Sequence, residues 1–202
     1  IAGLYVFGWG LFPLGYLVAS ALSVFAAAAV ANALAMRIYE QASLVETGLN
    51  CSPASARNLL VGLGSGIVAA VLILAGPLVA GAAELVKAPG GEAQASSILM
   101  LLVILIFGGL GEEMLFHGYG FQVLLGAVGP AAAILPVSVL FALAHSGNLN
   151  VGTLGLINTG LWGVVLGYAF WRSGDLWLPI GLLVGWNWML PLFGTNLSGF
   201  TM

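Results

Sequence analysis

The sequence predicts an all-α fold: a polytopic transmembrane helical bundle with about six spanning helices. Hydrophobic residues make up 61% of the chain and charged residues 5%, whereas an average soluble domain is roughly 25% charged. The apolar runs lack the alternation of apolar and polar positions that is typical of a transmembrane β-barrel. At about 20 residues per spanning helix, the 202 residues accommodate about six helices. We therefore expect a single membrane domain over residues 1–202.

Polar and turn-forming residues separate the apolar runs and set the predicted helix boundaries. The first run would be about 54 Å long as one helix, whereas the hydrocarbon core of a bilayer is about 30 Å thick. We therefore predict that Gly8, Gly10 and Pro13 break this run, which leaves an interfacial or re-entrant piece before the first spanning helix. The six spanning helices are predicted over residues 14–36, 58–85, 98–125, 131–145, 151–171 and 176–193.

The breaks between these helices are short. Residues 37–57 contain two acidic side chains and a turn-like Ser-Pro pair, and residues 86–97 contain a Pro-Gly-Gly run. Turn residues at 126–130 and 146–150 reverse the chain twice more. Three of the helices carry glycines at the spacing that permits close helix packing. These glycines are Gly62, Gly64 and Gly66, then Gly163 and Gly167, and finally Gly181 and Gly185.

Two glutamates lie deep inside an apolar run. Glu112 and Glu113 are the only two of the eleven charged side chains placed in this way. A carboxylate in hydrocarbon costs several kcal/mol unless it finds a partner, so the pair indicates a functional site. The only two histidines, His117 and His145, lie in the same region. Because His117 follows Glu113 by four residues, the two share a helix face and can form a hydrogen bond.

Residue counting places three polar side chains at one depth in the membrane. At about 1.5 Å per residue from a turn near Val128, Glu113 lies about 22 Å and His145 about 25 Å from one surface. Asn187, on the sixth helix, lies about 20 Å from that surface. Buried polar groups of this kind satisfy one another around a water-filled cavity.

This set of residues suits the hydrolysis of a peptide bond. A carboxylate and a neutral histidine that face one water can take its proton and later pass it to the leaving amine, without a covalent intermediate. A buried amide such as that of Asn187 can donate to the oxyanion. Structural interpretations stay open beside this one. The glutamates can form a helix-bonding polar network, His145 can bond a carbonyl near a helix end, and Asn187 can bond between helices.

Three motifs in the second half of the chain resemble the signatures of the CPBP family. This family comprises prenyl-protein (CAAX) endopeptidases and proteins related to bacteriocin immunity, which are intramembrane glutamic proteases often described as metalloproteases. The resemblance covers residues 101–188 and implies a CPBP-like core over residues 98–193, with the helices of residues 1–85 as accessory elements. The motifs are Glu112-Glu113-x-x-x-His117 for Glu-Glu-x-x-x-Arg, Phe141-x-x-x-His145 for Phe-x-x-x-His, and Leu183-x-x-x-Asn187 for His-x-x-x-Asn.

The resemblance implies a catalytic set of residues and a supporting set. The catalytic residues are Glu112, Glu113, His145 and Asn187, and the supporting residues are His117 and Phe141. Within the catalytic set, Glu112 and His145 would activate the water. The residue at position 183, together with Asn187, would bind the oxyanion.

Two positions depart from the family pattern. His117 replaces the family arginine, which keeps a hydrogen-bonding partner for the glutamates but not a permanent charge. Leu183 replaces the family histidine and can donate no hydrogen bond. Because the loss of one oxyanion donor typically costs about a hundred- to a thousand-fold in rate, Leu183 argues for weak activity or none.

The sequence therefore predicts an intramembrane protease-like protein that is weakened or inactive as a peptidase and acts as a membrane binding or structural subunit. The alternative is an active glutamic endopeptidase that cleaves a membrane-bound or lipidated protein with Glu112 and His145. The expected partners are the lipid bilayer and other membrane subunits, reached through lateral helix contacts. The net charge of −3 predicts no nucleic-acid partner. The expected location is a bacterial or archaeal cytoplasmic membrane, with several passes.

No cofactor is expected from the resemblance. A metal site is the alternative, since two histidines and two carboxylates at similar depth match the donors that zinc and non-haem iron use. Cys51 is the only cysteine, which excludes an intrachain disulfide and a cysteine-cluster metal site. Transport is a further class of function, but the sequence has no visible inverted repeat, which disfavours it.

Overall fold

The computed structural model of the chain describes residues 12–84, 95–148, 151–193 and 195. These residues form α-helices, two short helical turns and no strand, so the predicted all-α fold is confirmed. The short pieces are a π-helical turn, Met36–Glu40, and a 3₁₀ turn, Leu44–Thr47. The α-helices are α1 (Phe12–Ala35), α2 (Pro53–Val79), α3 (Ala95–His117), α4 (Tyr119–Val128), α5 (Pro130–Ala144), α6 (Thr153–Ser173) and α7 (Trp177–Leu192).

The protein is an integral membrane protein by the length and apolarity of its helices. Four helical stretches of the described chain can cross a bilayer: Leu17–Glu40, Pro53–Val79, Ile98–Val128 and Thr153–Ser173. Two shorter apolar helices, α5 and α7, complete a bundle of six membrane helices. The predicted break at Gly8 and Gly10 lies outside the described residues, as does most of the predicted linker at residues 86–97.

Helix α2 begins and ends earlier than the sequence analysis predicted. It covers Pro53–Val79 rather than residues 58–85, because the Ser-Pro pair assigned to the linker is its cap and first residue. The Ser52 hydroxyl oxygen accepts the backbone N–H of Ser55 at 3.0 Å, and proline at the first helical position has no N–H to leave unpaired. Pro77 lies in the last turn, and a glycine at φ +68°, Gly81, follows the helix.

The predicted continuous helix over residues 98–125 is wrong. Helix α3 ends at His117, Gly118 has non-helical backbone angles (φ −71°, ψ −152°), and α4 begins at Tyr119. Depths counted along one straight axis from Val128 therefore do not apply to the glutamates. The interruption has a tertiary cause, since the Asn32 side chain of α1 forms hydrogen bonds with backbone on both sides of it.

Glycines let the helices pack at backbone distance. Gly62 and Gly66 of α2 face Gly181 and Gly185 of α7, and a Cβ at any of the four would overlap a carbonyl oxygen of the opposite helix. Packing between helices in a bilayer rests on such close approach, because lipid supplies no hydrophobic driving force between helices. The contact fixes the position of α7, which carries Asn187.

Helix α1 packs along α3 in the same direction. Ala21 lies beside Gly108, and Phe25 meets Phe107 edge-on with ring centroids 5.2 Å apart. A Cβ at Gly111 would come within 2.6 Å of the Phe25 backbone nitrogen. This close contact sets the rotation of α3 about its own axis, and the rotation decides which of its side chains face inward.

The connection between α1 and α2 joins the N-terminal helices to the rest of the bundle. Gly48, at φ +96°, accepts the Leu176 N–H through its carbonyl oxygen at 3.0 Å, next to the first turn of α7. The Trp177 indole N–H donates to the Asn50 carbonyl at 2.9 Å. The Gln122 side chain of α4 donates to the Thr47 carbonyl at 2.9 Å. One short segment thus fixes the ends of α4 and α7 relative to α1 and α2.

We predict that Gly66→Ala lowers the thermal unfolding midpoint in detergent, because the added methyl group would overlap the Leu182 carbonyl. Overpacking of this kind costs about 1–3 kcal/mol. Gly64→Ala is the matched control, since a Cβ at Gly64 meets nothing within 4 Å. The control should leave the midpoint unchanged or raise it, because alanine is the better helix former. Equal midpoints for the two variants would contradict the glycine contact.

Candidate functional site

A cavity of about 220 Å³ lies between α1, α3, the end of α5 and α7. Its size admits several water molecules or a short stretch of apolar chain. Most of the lining is apolar. The polar side chains in the lining are Ser20, Glu112, His145, Asn148 and Asn187. This cavity brings together three of the residues that the sequence analysis placed in the catalytic set.

Helix α3 presents the two glutamates in different directions. Glu112 and Phe116, four residues apart, both line the cavity, whereas the Glu113 side chain is 0% exposed and lies outside the lining. Neighbouring helical residues point about 100° apart, so only one of two adjacent glutamates can face a given cavity. Residue counting along a straight helix predicts Glu113 at the depth of His145 and Asn187. The structure instead places Glu112 beside them.

Glu113 forms the hydrogen bond that its spacing from His117 predicts. His117 Nδ1 and Glu113 Oε2 are hydrogen-bonded at 2.7 Å, and the His117 side chain is 1% exposed. The imidazole stands edge-on to Phe121 with ring centroids 5.0 Å apart, and Gly167 of α6 leaves room for its Nε2. Both side chains are therefore held behind the cavity wall, away from any molecule that occupies the cavity.

Glu112 and His145 face each other at the cavity. Glu112 Oε2 and His145 Nε2 are 3.8 Å apart, and their side chains are 28% and 19% exposed. This distance is too long for a direct hydrogen bond, but a water between the Glu112 carboxylate and the imidazole can bond to both groups. Both side chains are thus partly exposed, unlike those of Glu113 and His117, while the Glu112 Oε2 atom itself is buried without a hydrogen-bond partner among the described residues.

The other nitrogen of His145 fixes the orientation of the ring. His145 Nδ1 lies 2.7 Å from the Phe141 carbonyl oxygen, and because a carbonyl only accepts, Nδ1 carries the hydrogen. In the neutral imidazole, Nε2 then has a free lone pair directed toward Glu112. The carbonyl bond near a helix end, which the sequence analysis left open as a structural interpretation, is therefore present and also orients Nε2 for chemistry.

Phe141 and Leu183 form an apolar support behind the cavity. Phe141 is buried, with its ring centroid 4.9 Å from that of Phe116 and 4.6 Å from that of His145. Leu183 packs into the same cluster together with Leu166. At position 183 the protein therefore has a buried hydrocarbon side chain. The polar group that helix α7 contributes to the cavity is Asn187.

Sequence reasoning missed several polar residues. Asn148, one of the turn residues predicted at 146–150, lines the cavity, and so does Ser20 of α1. Asn32 is buried and bonds the interruption between α3 and α4. Ser20 and Asn32 carried a signal, because each is a polar side chain within the long apolar run at the start of the chain.

The metal-site alternative finds no donor cluster in the described part of the chain. There, no three side chains of histidine, cysteine, aspartate or glutamate come together in a group that could hold a metal ion. The two histidines and two glutamates that motivated the hypothesis form two separate pairs. Glu113 pairs with His117 within α3, and Glu112 faces His145 at the cavity. Cys51 is exposed and lies in the connection between α1 and α2.

Residues 94–189 match the family model described as type II CAAX prenyl endopeptidase, Rce1-like. Over these residues the chain is similar to the Rce1-like CAAX prenyl endopeptidases. The family segment contains Glu112, His145 and Asn187, and it leaves α1 and α2 outside. The resemblance identified from the three motifs is thus confirmed. No curated protein and no solved structure gives a significant match to the chain.

We predict that the buried pair stabilises the fold through the acceptor at position 113. Glu113→Leu leaves His117 Nδ1 unpaired in the interior, which costs about 1–3 kcal/mol. Glu113→Gln keeps a carbonyl oxygen for the same hydrogen bond, so this variant should lose less stability than Glu113→Leu. The measurement is the thermal unfolding midpoint of each purified variant in detergent. If both variants lose equal stability, the hydrogen bond is not what holds His117.

Proposed function

We propose that the protein is an intramembrane endopeptidase with slow turnover. The observation that carries the proposal is the Glu112 carboxylate beside the His145 imidazole, with Oε2 and Nε2 3.8 Å apart, in the lining of a cavity that Asn187 shares. A pair of acceptors at this distance can orient one water, and hydrolysis needs an oriented water beside a group that takes its proton.

The reaction follows from the hydrogen-bonding capacity of these side chains. A water in the cavity donates one hydrogen to the Glu112 carboxylate and the other to His145 Nε2, which leaves its lone pairs free to attack a peptide carbonyl carbon. The proton passes to this pair as the carbon–oxygen bond forms. The pair then returns a proton to the leaving nitrogen as the carbon–nitrogen bond breaks. No covalent enzyme intermediate arises.

The oxyanion of the tetrahedral intermediate receives one side-chain donor. The Asn187 amide can donate to it, whereas Leu183, at the position of the family histidine, cannot. Removal of one oxyanion donor typically slows such reactions about 100- to 1000-fold. Both groups that would activate the water, Glu112 and His145, are present, but only one of the two side-chain donors for the oxyanion is. The missing donor accounts for slow turnover.

The cavity wall supports an apolar, membrane-embedded substrate. Most of the wall is apolar, with aliphatic side chains from α1 and α3 that include Leu17, Val24 and Ile104. A peptide that reaches Glu112 through this wall gains free energy when its side chains, or a lipid attached to it, are apolar. The substrate class is thus a membrane-bound or lipid-modified protein. The motif resemblance alone supports a bacterial or archaeal cytoplasmic membrane as the location.

A second candidate function is that of a binding or structural subunit without catalysis. Leu183 favours it, since a site that no longer hydrolyses can still hold a peptide in the same cavity. Partners would then make lateral contacts within the bilayer. The two candidates differ in one respect, which is whether replacement of Glu112 changes a rate.

Replacement of the water-activating pair tests the first candidate. Glu112→Gln and His145→Ala should each lower the rate of cleavage by about 100-fold or more, because an amide cannot take a proton from the water and alanine offers no acceptor at all. The substrates are an internally quenched peptide with a prenylated CAAX terminus and an unmodified apolar transmembrane peptide, both in liposomes. Glu84→Gln, which changes an exposed glutamate after α2, is the control and should keep the wild-type rate.

Restoring the family histidine tests the account of slow turnover. Leu183→His should raise kcat at least about tenfold, since a second oxyanion donor is worth about 100- to 1000-fold when well placed. Leu182→His introduces the same side chain one position away on α7 and should not raise kcat. Wild-type protein and Leu183→His that both fail to cleave either peptide would overturn the endopeptidase proposal and favour the binding subunit.

A further inference from the structure

The interruption between α3 and α4 lies directly after the residues of the site. His117 is the last residue of α3, and Gly118 separates it from Tyr119, the first residue of α4. An interruption removes helical partners from the carbonyls of the last turn and from the first amides of the next helix. In a bilayer these groups find no water, so the protein itself must supply their partners.

One side chain supplies partners on both sides of the interruption. The Asn32 amide nitrogen donates to the Met114 carbonyl at 2.9 Å, and its amide oxygen accepts the Tyr119 backbone N–H at 2.7 Å. The same nitrogen also donates to the Ala28 carbonyl of its own helix at 2.8 Å. Asn32 is 7% exposed. Asparagine can form this bridge because its amide carries both donors and an acceptor.

Gly118 and Asn32 fit each other sterically. A Cβ at Gly118 would overlap the amide oxygen of Asn32 and the carbonyl oxygen of Met114. Only glycine therefore lets the Asn32 side chain enter the interruption. Asn32 lies in α1 and Gly118 lies between α3 and α4, 86 positions further along the sequence, so the contact is a tertiary one.

We propose that Asn32 is a positioning residue for the site. Met114, whose carbonyl it holds, directly follows Glu113, and the turn that ends at the interruption carries both Glu113 and His117. With this turn fixed, Glu113 pairs with His117, and Glu112 therefore faces His145. Asn32 lies in α1, outside the family segment of residues 94–189, so the N-terminal helix contributes to the geometry of the site.

The positioning role differs from a purely structural one in what it changes. If the contact is only structural, its removal lowers the yield and the thermal stability of the protein but leaves the site unchanged in the protein that folds. A positioning residue changes the surroundings of His117 and the rate constant kcat in protein that is still folded. Asn32 does not line the cavity, so it should leave KM almost unchanged.

The test compares Asn32→Leu, which removes all three hydrogen bonds of the side chain, with Asn32→Asp, which keeps the acceptor for Tyr119 and loses the donor to Met114 and Ala28. Ser138→Ala is the matched control, because Ser138 is buried and donates to a carbonyl of its own helix at 2.7 Å. Each protein is labelled with ¹⁵N-histidine and placed in nanodiscs. Since the chain has only two histidines, the His117 signals are assigned by their persistence in His145→Gln.

The expected result is a loss or shift of the hydrogen-bonded His117 Nδ1–H signal in Asn32→Leu, a smaller shift in Asn32→Asp and no shift in Ser138→Ala. With the peptides described above, kcat should fall about 100-fold in Asn32→Leu, with KM within about twofold of the wild type. The measurement of the His117 signals does not depend on the proposed function, whereas the measurement of kcat rests on it.

Unchanged His117 signals in folded Asn32→Leu would overturn the positioning role, whatever the kinetics. If Asn32→Leu does not fold, the Asn32→Asp spectrum decides, and wild-type signals in that variant would overturn the proposal. Wild-type protein that cleaves neither peptide would count against the endopeptidase proposal alone, because the histidine signals would still report on Asn32.

Discussion

The hydrogen bond between Glu113 and His117 is the interaction on which the geometry of the site depends. It takes one of two adjacent carboxylates out of the cavity and seals it against the core. Since adjacent helical side chains diverge by about 100°, this bond leaves Glu112 as the carboxylate that faces His145. The membrane makes the arrangement strict, because a carboxylate without a partner or water in hydrocarbon is costly. The burial of Glu113 with His117 and the position of Glu112 beside His145 thus both follow from the need to give each carboxylate a partner or water.

Close helix contacts hold these pairs in place. Gly111 allows α1 to approach α3, and Gly62 and Gly66 allow α2 to approach α7. Helices α3 and α7 carry Glu112 and Asn187, so each of these two helices packs against a helix outside the family segment. The cavity lies among α1, α3 and α7. The N-terminal helices therefore contribute to the site both by packing and by lining the cavity.

The two departures from the family signatures differ in whether the new side chain keeps the hydrogen bond of the residue it replaces. His117 replaces an arginine, but it still donates to Glu113 and fits beside Gly167. Leu183 replaces a histidine by a side chain that packs against Phe141 and offers no donor. The first change keeps the support of the carboxylates, and the second removes a hydrogen bond that would act on the oxyanion. A slow peptidase and a binding subunit both agree with this combination.

The sequence by itself determined the class of the fold, the family motifs and the bond from His117 to Glu113, because composition and a spacing of four residues act locally. Only the tertiary structure decided which glutamate faces the cavity, since the rotation of a helix is set by the helices packed against it. The tertiary structure also decided that α3 ends at His117, before Gly118. Asn32, far away in the sequence, supplies the hydrogen bonds that a continuous helix would have made within itself.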